Sequence, residues 1–182
     1  MGVCKQLLPI AGKPAIVHCV ETLIHAGVFS ITVVVGKYRD VIRQTLGSLP
    51  VKVVENRHPN ADMADSVRTG MGAEVHDGTS GIMICLSDYP LITCETIQEI
   101  IKMHRNASDD IIMPVYREKN GHPVIFPAQL LTQIHQGGTL RDIIRAYPDR
   151  VRRVPVDDFG VVMDMDTQQD YQNILKYYNQ MR

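Results

Sequence analysis

The segment Gly81–Thr93, GIMICLSDYPLIT, restricts the fold of this chain more than any other part of its sequence. The apolar run Gly81–Leu86 is short, continuous and closed by turn residues, a pattern that predicts a buried parallel strand. Pro90 has no N–H to donate to a sheet, so the strand must end before it. Asp88 is therefore expected at the carboxyl end of a central strand, where open α/β sheets bind ligands. Asp and Pro are also ordinary turn residues, so this stretch alone leaves a simple turn as the alternative.

The rest of the chain alternates between strand-like and helix-like segments. Apolar residues at helical spacing predict helices at 15–26, 39–46, 60–75, 95–105, 129–135, 140–147 and 167–178. Short apolar or β-branched runs predict strands at 31–35, 51–54, 111–115, 123–126, 151–156 and 161–165, and residues 1–14 are expected to form a loop. This alternation predicts one α/β domain over residues 1–182, with three layers and a mostly parallel sheet. Residues 117–126 and the late strands are expected to form a small inserted antiparallel lobe.

Composition excludes several classes of protein. The formal net charge is −1, so no basic excess points to nucleic acid or to an anionic membrane. The four cysteines show no CxxC spacing, which argues against a metal or disulfide framework, and reduced thiols fit a cytoplasmic setting. The sequence has no apolar run of transmembrane length and no visible signal peptide. Any anionic ligand must therefore be held by a local site.

Lys5 is the first candidate for binding phosphate. It follows Gly2 by three residues in a glycine-containing loop, and a lysine there can neutralise phosphate oxygens. A solvated surface lysine is the alternative. The sequence contains neither GxxxxGK[ST] nor GxGxxG, so it supports neither a P-loop ATPase nor an ordinary dinucleotide-binding enzyme.

Asp164 and Asp166 are candidates for holding a metal ion. Side chains two residues apart share one face of a strand, so this pair, together with Asp88, could hold a hard divalent cation such as Mg²⁺. Asp164 is flanked by methionines, and a carboxylate in apolar surroundings needs a partner or a metal. Asp166 could instead cap the last helix, although Thr167 and Asp170 also resemble a capping box.

Two further segments carry polar residues whose roles stay open at this stage. Asp62, Asp65 and Ser66 surround a predicted helix start, where free N–H groups can bind an anion or a base edge, although plain N-capping is the commoner use. The tripeptide Gly121-His122-Pro123 is expected at the tip of the inserted lobe, where His122 could contact a phosphate or substrate, or simply occupy a turn.

Five motifs, taken in order, resemble a known family. They are MG-xx-K-x-LLP at 1–9, M-xx-S-xxx-G at 63–70, S-D-x-P-L at 87–91, GHPV at 121–124 and D-x-D-T-xx-D at 164–170. This pattern resembles the molybdenum cofactor nucleotidyltransferases, most closely the molybdopterin cytidylyltransferase branch. The similarity runs from Met1 to about Tyr171, nearly the whole chain.

The resemblance implies a Rossmann-like nucleotidyltransferase fold. It also implies a Mg²⁺-dependent reaction in which a substrate phosphate attacks the α-phosphate of a nucleoside triphosphate, with CTP favoured, and releases pyrophosphate. The acceptor would be molybdopterin or another phosphorylated small molecule. A non-catalytic accessory protein that holds the cofactor, or serves a partner molybdoenzyme, is the alternative. By the same resemblance, the catalytic residues would be Lys5 and Asp88. The metal ion would be held by Asp88, Asp164 and Asp166. The nucleotide or cofactor would be bound by Gly2, Lys5, Met63, Ser66, Gly121, His122 and Pro123.

The chain departs from the family pattern at three places. Tyr89 stands where the family usually has Gln, and Asp62 stands where a Gly usually precedes the Met. The family also has a strand and a glycine-rich loop, LAAGxSxR, just before MG, whereas this sequence begins at Met1-Gly2. We therefore expect the first strand and its loop to be missing, the chain as given to be a poor catalyst, and the central position of the sheet to be filled by upstream residues or by a partner.

Overall fold

The computed structural model describes residues 4–58, 62–74 and 78–180. Residues 1–3, which include Gly2, and residues 59–61, 75–77 and 181–182 lie outside the described residues. The helices are α1 (Ala15–His25), α2 (Arg39–Leu46), α3 (Met63–Glu74), α4 (Cys94–Asn106), α5 (Ala128–Leu131), α6 (Leu140–Ala146) and α7 (Gln168–Gln180). The strands are β1 (Pro9–Ile10), β2 (Lys13–Pro14), β3 (Thr32–Val35), β4 (Lys52–Glu55), β5 (Gly81–Ile84), β6 (Ile111–Tyr116), β7 (Lys119–Asn120), β8 (Val124–Pro127) and β9 (Val151–Pro155).

Side-chain hydroxyls define several helix starts. Thr93 precedes α4, and its hydroxyl accepts a hydrogen bond from the Thr96 N–H at 3.3 Å. Thr139 and Asp142 form a reciprocal capping box at α6. At α7 the Thr167 hydroxyl accepts from the Asp170 N–H at 3.1 Å, while the Asp170 carboxylate accepts from the Thr167 N–H at 2.8 Å. Such caps satisfy N–H groups that the helix itself leaves unpaired, which explains why the predicted starts are close to the observed ones.

Strand pairing produces two separate sheets besides a short hairpin. The small sheet is the parallel pair β3 and β4. The large sheet has the order β5–β8–β6, with β7 antiparallel and β9 parallel to β6. β8 is antiparallel to both β5 and β6. The predicted α/β class is confirmed, but the sheet is mixed rather than mostly parallel, because the return strand β8 enters the main sheet between β5 and β6 instead of forming a separate lobe.

The large sheet is covered on both faces. Ile111 and Met113 of β6 point into one apolar cluster with Phe126 of β8. Ile112 and Ile125, one position along each strand, point into a second cluster with Ile100 of α4. Alternation of this kind on a sheet with helices on both sides gives the three predicted layers.

The small sheet packs on different residues. Val35 of β3 joins a third cluster with Ile16 and Val20 of α1 and with Ile42 and Leu46 of α2. Within the described part of the chain, β3 and β5 are not hydrogen-bonded to each other. The expectation that a further strand lies beside the one that ends before Asp88 stays a prediction.

Three local predictions are wrong. The segment Gly81–Leu86, expected to be a buried parallel strand, is the half-buried strand β5, which is antiparallel to β8 because β8 returns beside it at the end of the described sheet order. The residues expected to be a loop before α1 contain the hairpin β1–β2, whose turn residues Ala11 and Gly12 have φ of 47° and 83°. Positive φ at both central residues is the geometry of a tight two-residue hairpin turn. The strand expected at 161–165 is instead a 3-10 turn, Phe159–Val162, followed by irregular extended backbone, because the Asp158 carboxylate accepts the Gly160 N–H at 2.8 Å and closes a turn there.

Among the described residues, no helix combines the length and the apolar character needed to span a bilayer.

Candidate active site

One lysine lies between two carboxylates that are far apart in the sequence. The Lys5 ammonium donates to Asp88 Oδ2 at 2.6 Å and to Asp166 Oδ1 at 2.6 Å. These two oxygens are therefore separated by at most twice that distance. Asp88 follows β5, and Asp166 lies between β9 and α7, so the carboxyl-end edge of the large sheet brings them together. The structure thus brings together Asp88 and Asp166, two of the three residues predicted to hold a metal ion, and places Lys5, predicted to bind phosphate, between them.

The charges at this point act on one another. Burial lowers the pKa of Lys5, but hydrogen bonds to Asp166 and Asp88 outweigh it, and the net pKa is raised. Burial and the nearby charges of Asp166, Asp170 and Asp88 raise the pKa of Asp164. Asp164 therefore lies in the field of the same carboxylates. Within the described ranges, however, no three His, Cys, Asp or Glu side chains form a compact metal-binding group.

Asp166 does not cap α7, although the sequence made it a candidate for that role. The capping box of Thr167 and Asp170 serves the helix start instead. Asp166 is 64% exposed at its side chain and is directed to Lys5. The carboxylate is therefore available for a ligand.

The rings of Tyr89 and His122 lie beside the carboxylates. Their centroids are 5.1 Å apart, and the His122 N–H donates to the Val161 carbonyl at 2.8 Å. Burial lowers the pKa of His122, and its Nδ1 has no hydrogen-bond partner among the described residues. Burial and the charges of Asp164, Asp88 and Asp166 raise the pKa of Tyr89 to about 12. Both groups are therefore neutral near pH 7.

Gly121 and Pro123 are not at the tip of a lobe, as the sequence suggested. The tip is formed by Arg117 and Glu118, whereas Gly121 and Pro123 are buried in the segment that leads into β8. A Cβ on Gly121 would lie 2.7 Å from the Val161 carbonyl oxygen. Gly121 thus allows close packing beneath the site, and of this motif His122 is the residue beside the carboxylates.

A second region, a pocket of about 580 Å³, opens at the carboxyl ends of β3 and β4. Its lining includes Lys37, Arg39, Asn56, His58 and Ser66. Asn56 is 7% exposed; its Oδ1 accepts the His58 N–H at 3.2 Å and its Nδ2 donates to Ser66 Oγ at 3.4 Å. The pocket therefore offers both a cationic rim and a fixed amide near the start of α3.

The family described as the MobA-like NTP transferase domain matches residues 1–153. The chain belongs to this family. It is thus a nucleotidyltransferase domain, and the paired carboxylates at the carboxyl-end edge of its sheet lie where ligands of α/β folds bind.

Relatives of this nucleotidyltransferase domain are similar at moderate identity. The bifunctional protein GlmU of Bacillus thuringiensis (strain Al Hakam) is 27% identical over 103 residues, which are 57% of this chain and 22% of the relative. The match thus spans about a fifth of the length of the curated relatives.

Solved structures match nearly the whole chain. Rv0371c from Mycobacterium tuberculosis H37Rv is 25% identical with a TM-score of 0.82, covering 97% of this chain and 91% of that one. The complex of Rv0371C with manganese is 26% identical with a TM-score of 0.78, covering 96% and 93%. A CMP:2-keto-3-deoxy-manno-octonic acid synthetase complexed with CTP is 15% identical with a TM-score of 0.78, covering 98% and 92%, and shows the fold alone. The predicted Rossmann-like nucleotidyltransferase fold is confirmed.

Met63 and Ser66, predicted near the base, are the first and fourth residues of α3. Ser66 lines the pocket, whereas Met63 is 53% exposed. Asp62, which replaces the glycine expected from the family pattern, caps α3: its carboxylate accepts the Asp65 N–H at 2.7 Å, and Asp65 accepts the Asp62 N–H at 3.1 Å. Plain capping therefore accounts for both aspartates.

Sequence reasoning passed over Asn56 and gave Tyr89 no role. The signal for Asn56 was its position directly after a β-branched strand, because polar residues at strand ends face the ligand edge of α/β sheets. The signal for Tyr89 was its place between Asp88 and Pro90, since a residue in the turn after a strand is carried to the same edge.

Proposed function

We propose that this domain transfers CMP from CTP to the phosphate of a molybdopterin-type acceptor and releases pyrophosphate. The observation that carries the proposal is the Lys5 ammonium held at 2.6 Å from both Asp88 and Asp166. This arrangement is a cation position at the carboxyl-end edge of the sheet, which is what the transfer of a highly anionic group requires.

The carboxylates suit a divalent cation. Mg²⁺ and Mn²⁺ prefer hard oxygen ligands and commonly use one or two carboxylates together with substrate phosphates. The ammonium of Lys5 demonstrates that the position between Asp88 and Asp166 favours positive charge. Asp88 with Asp166 or Asp164 would hold the ion, and Mg²⁺ is the proposed species. When bound, such an ion neutralises charge on the phosphates and orients them.

The reaction needs no covalent intermediate on the protein. An oxygen of the acceptor phosphate forms a bond to the α-phosphorus of CTP. The bond from that phosphorus to the oxygen bridging to the β-phosphate breaks, and pyrophosphate leaves with the electron pair. Lys5 is long enough to exchange its carboxylate partners for phosphate oxygens, so its positive charge would remain at the reacting groups. Positioning and charge neutralisation are the main contributions of a protein to this chemistry.

The two regions of the site divide the substrates in this proposal. The pocket with Asn56 and Ser66 would take the nucleoside of CTP, with Met63 at its rim. The Tyr89–His122 pair would face the acceptor, over the close packing at Gly121 and Pro123. Tyr89 replaces the usual glutamine of the family pattern on the acceptor side, which favours a second candidate: the same transfer to a different phosphorylated small molecule.

Thermal-shift titrations test the nucleotide, because a ligand that binds only the native state raises the melting temperature. We expect Mg²⁺–CTP to give a larger shift than Mg²⁺–GTP or Mg²⁺–ATP, and Asp88→Asn to reduce the shift. A larger shift with GTP would refute the base assignment. Pyrophosphate release with CTP and molybdopterin tests the acceptor, and binding of CTP without any release would favour the accessory role over the enzyme.

A further inference from the structure

Asp158 is a buried carboxylate with an unusual set of partners. It is 5% exposed. Its Oδ2 accepts from the Thr93 N–H at 2.9 Å, the Thr93 hydroxyl at 3.0 Å and the Thr96 hydroxyl at 2.7 Å. Its Oδ1 accepts the Gly160 N–H at 2.8 Å. A buried carboxylate is costly unless hydrogen bonds satisfy it, and here four donors and the amino end of α4 do so.

The partners of Asp158 belong to the two segments that carry the site carboxylates. Thr93 lies five residues after Asp88, in the loop that leaves β5. Gly160 belongs to the 3-10 turn Phe159–Val162, which leads directly to Asp164 and Asp166. One side chain therefore ties the loop of Asp88 to the segment of Asp164 and Asp166.

The backbone of the turn Phe159–Val162 packs on the same loop. A Cβ on Gly160 would collide with the Leu91 carbonyl oxygen and would lie 2.8 Å from the Ile92 nitrogen, so only glycine permits this approach. Leu91 and Met165 are both buried in a cluster with Ile174 of α7. On its other side the turn accepts the His122 N–H through the Val161 carbonyl at 2.8 Å. Three segments bordering the site are thus fixed to one short turn.

We propose that Asp158 is a positioning residue for the divalent-cation site: it sets the separation between Asp88 and Asp166 by holding their segments together. The inference rests on the proposed function, since it concerns the same cation. Asp158 touches neither substrate nor metal and acts through Thr93 and Gly160. It must remain an acceptor at both oxygens, because two of its donors are backbone N–H groups that cannot turn away.

The test measures Mn²⁺ binding to the full chain by electron paramagnetic resonance of free Mn²⁺. Asp158→Asn places an NH₂ group against donors, and we expect the dissociation constant to rise by about 10- to 100-fold, as for other residues that orient metal ligands. Thr96→Val removes one donor while keeping the side-chain shape, and we expect a smaller rise of the same kind. Far-UV circular dichroism at the temperature of measurement confirms that each variant is folded.

Asp142→Asn is the matched control. Asp142 also accepts from a threonine hydroxyl and a backbone N–H at a helix start, at 2.7 Å and 2.9 Å, but it belongs to α6 and contacts no site residue among the described ones. We expect it to lower the melting temperature without changing Mn²⁺ affinity.

The outcomes separate the two proposals. If Asp158→Asn does not fold, Thr96→Val decides. Unchanged Mn²⁺ affinity in the folded Asp158 and Thr96 variants, with affinity lost in Asp88→Asn, would overturn the positioning role alone. Absence of Mn²⁺ binding by the wild-type chain would overturn the proposed metal site, and the positioning role with it.

Discussion

The large and small sheets of this domain differ in how deeply their central strands are buried. Every residue of β8 and the first four residues of β6 are buried, and these strands pair on both edges. In β3 only Val35 is buried, and no residue of β4 is. The carboxylates follow strands of the large sheet, whereas Asn56 follows a strand of the small one. The central strands of the large sheet are therefore the best-packed part of the fold. The strands that lead to the charge-bearing half of the site and to its pocket half are less buried, since β5, which precedes Asp88, has no fully buried residue and β3 has one.

The largest expected effect is on stability. Phe126 of β8 is 1% exposed, and Phe126→Ala should lower the free energy of unfolding by about 3–5 kcal/mol through lost burial and a residual cavity. Val33 of β3 is only half-buried, so Val33→Ala should cost about 1 kcal/mol. Urea denaturation of both variants measures the contrast. A loss in Val33→Ala as large as that in Phe126→Ala, although a smaller side chain is removed, would show that the small sheet is packed at least as tightly as the large one.

Next is the effect of a site carboxylate on rate. Asp88→Asn should lower nucleotidyl transfer on the order of 10²–10³-fold, because one charge that stabilises the transition state is removed. The Asp88 side chain is only 18% exposed and pairs with Lys5, so the variant should also lose some stability, but far less than it loses in rate. Steady-state kinetics and a thermal melt check both statements. Asp109→Asn, at an exposed carboxylate before β6, is the control, and a rate as low as that of the Asp88 variant would count against the assignment.

A substitution in the pocket half of the site should weaken CTP binding more than it lowers the rate of transfer. Asn56→Ala should raise KM for CTP by about tenfold and leave kcat nearly unchanged, because Asn56 contacts Ser66 and His58 in the pocket and not the carboxylates. Initial rates over a range of CTP concentrations give both constants. A fall in kcat at unchanged KM would place Asn56 with the carboxylates and would remove the distinction between the two halves.

The smallest expected effect is a loss of folding stability at acidic pH that arises from a histidine packed on the large sheet. His104 of α4 is 7% exposed, its ring packs against Gly81 of β5, and burial lowers its pKa below the usual value near 6.5. As pH falls through about 6.5, His104 therefore binds a proton in the unfolded chain before it does so in the folded one. The contribution of neutral, buried His104 to the free energy of unfolding is thus complete above that pH and declines below it. Urea denaturation between pH 7.5 and 5, at about half-unit steps, should show a flatter profile for His104→Gln than for the wild type. His25→Gln, at an exposed position, should reproduce the wild-type slope.

The sequence was sufficient for the helices and for the main polar residues of the site. The helix predicted at 39–46 has those bounds, because apolar periodicity is a local property that the final packing preserves. Asp88 and Asp166 became candidates because charged residues at a strand end and before a helix cap carry a local signal, whereas Lys5 was assigned its role by its place in a family motif.

Strand partners were not predictable in the same way. Apolar runs tell that β5 and β8 are strands, but nothing local states that β8 enters antiparallel between β5 and β6. The run Val161–Met165 has the apolar composition of a strand. Its buried residues, however, belong to a turn and to the backbone after it, and not to a hydrogen-bonded strand. The buried position of Gly121 depended on Val161, forty residues later, and was likewise invisible in the sequence.

The contacts of the hairpin β1–β2 have a consequence for synthesis. Lys5 binds Asp166, and the Tyr171 hydroxyl donates to the Pro9 carbonyl at 2.6 Å, so residues roughly 160 positions apart must meet. A ribosome adds about 5–20 residues per second, which separates the two sets by on the order of ten to thirty seconds. Throughout that interval Ile10 and Ala15 lack Met165 and Ile174, their partners in the folded core. The nascent chain thus exposes an apolar surface that is available to a chaperone, and the ion pair of Lys5 with Asp166 forms only after residue 166 has been synthesised.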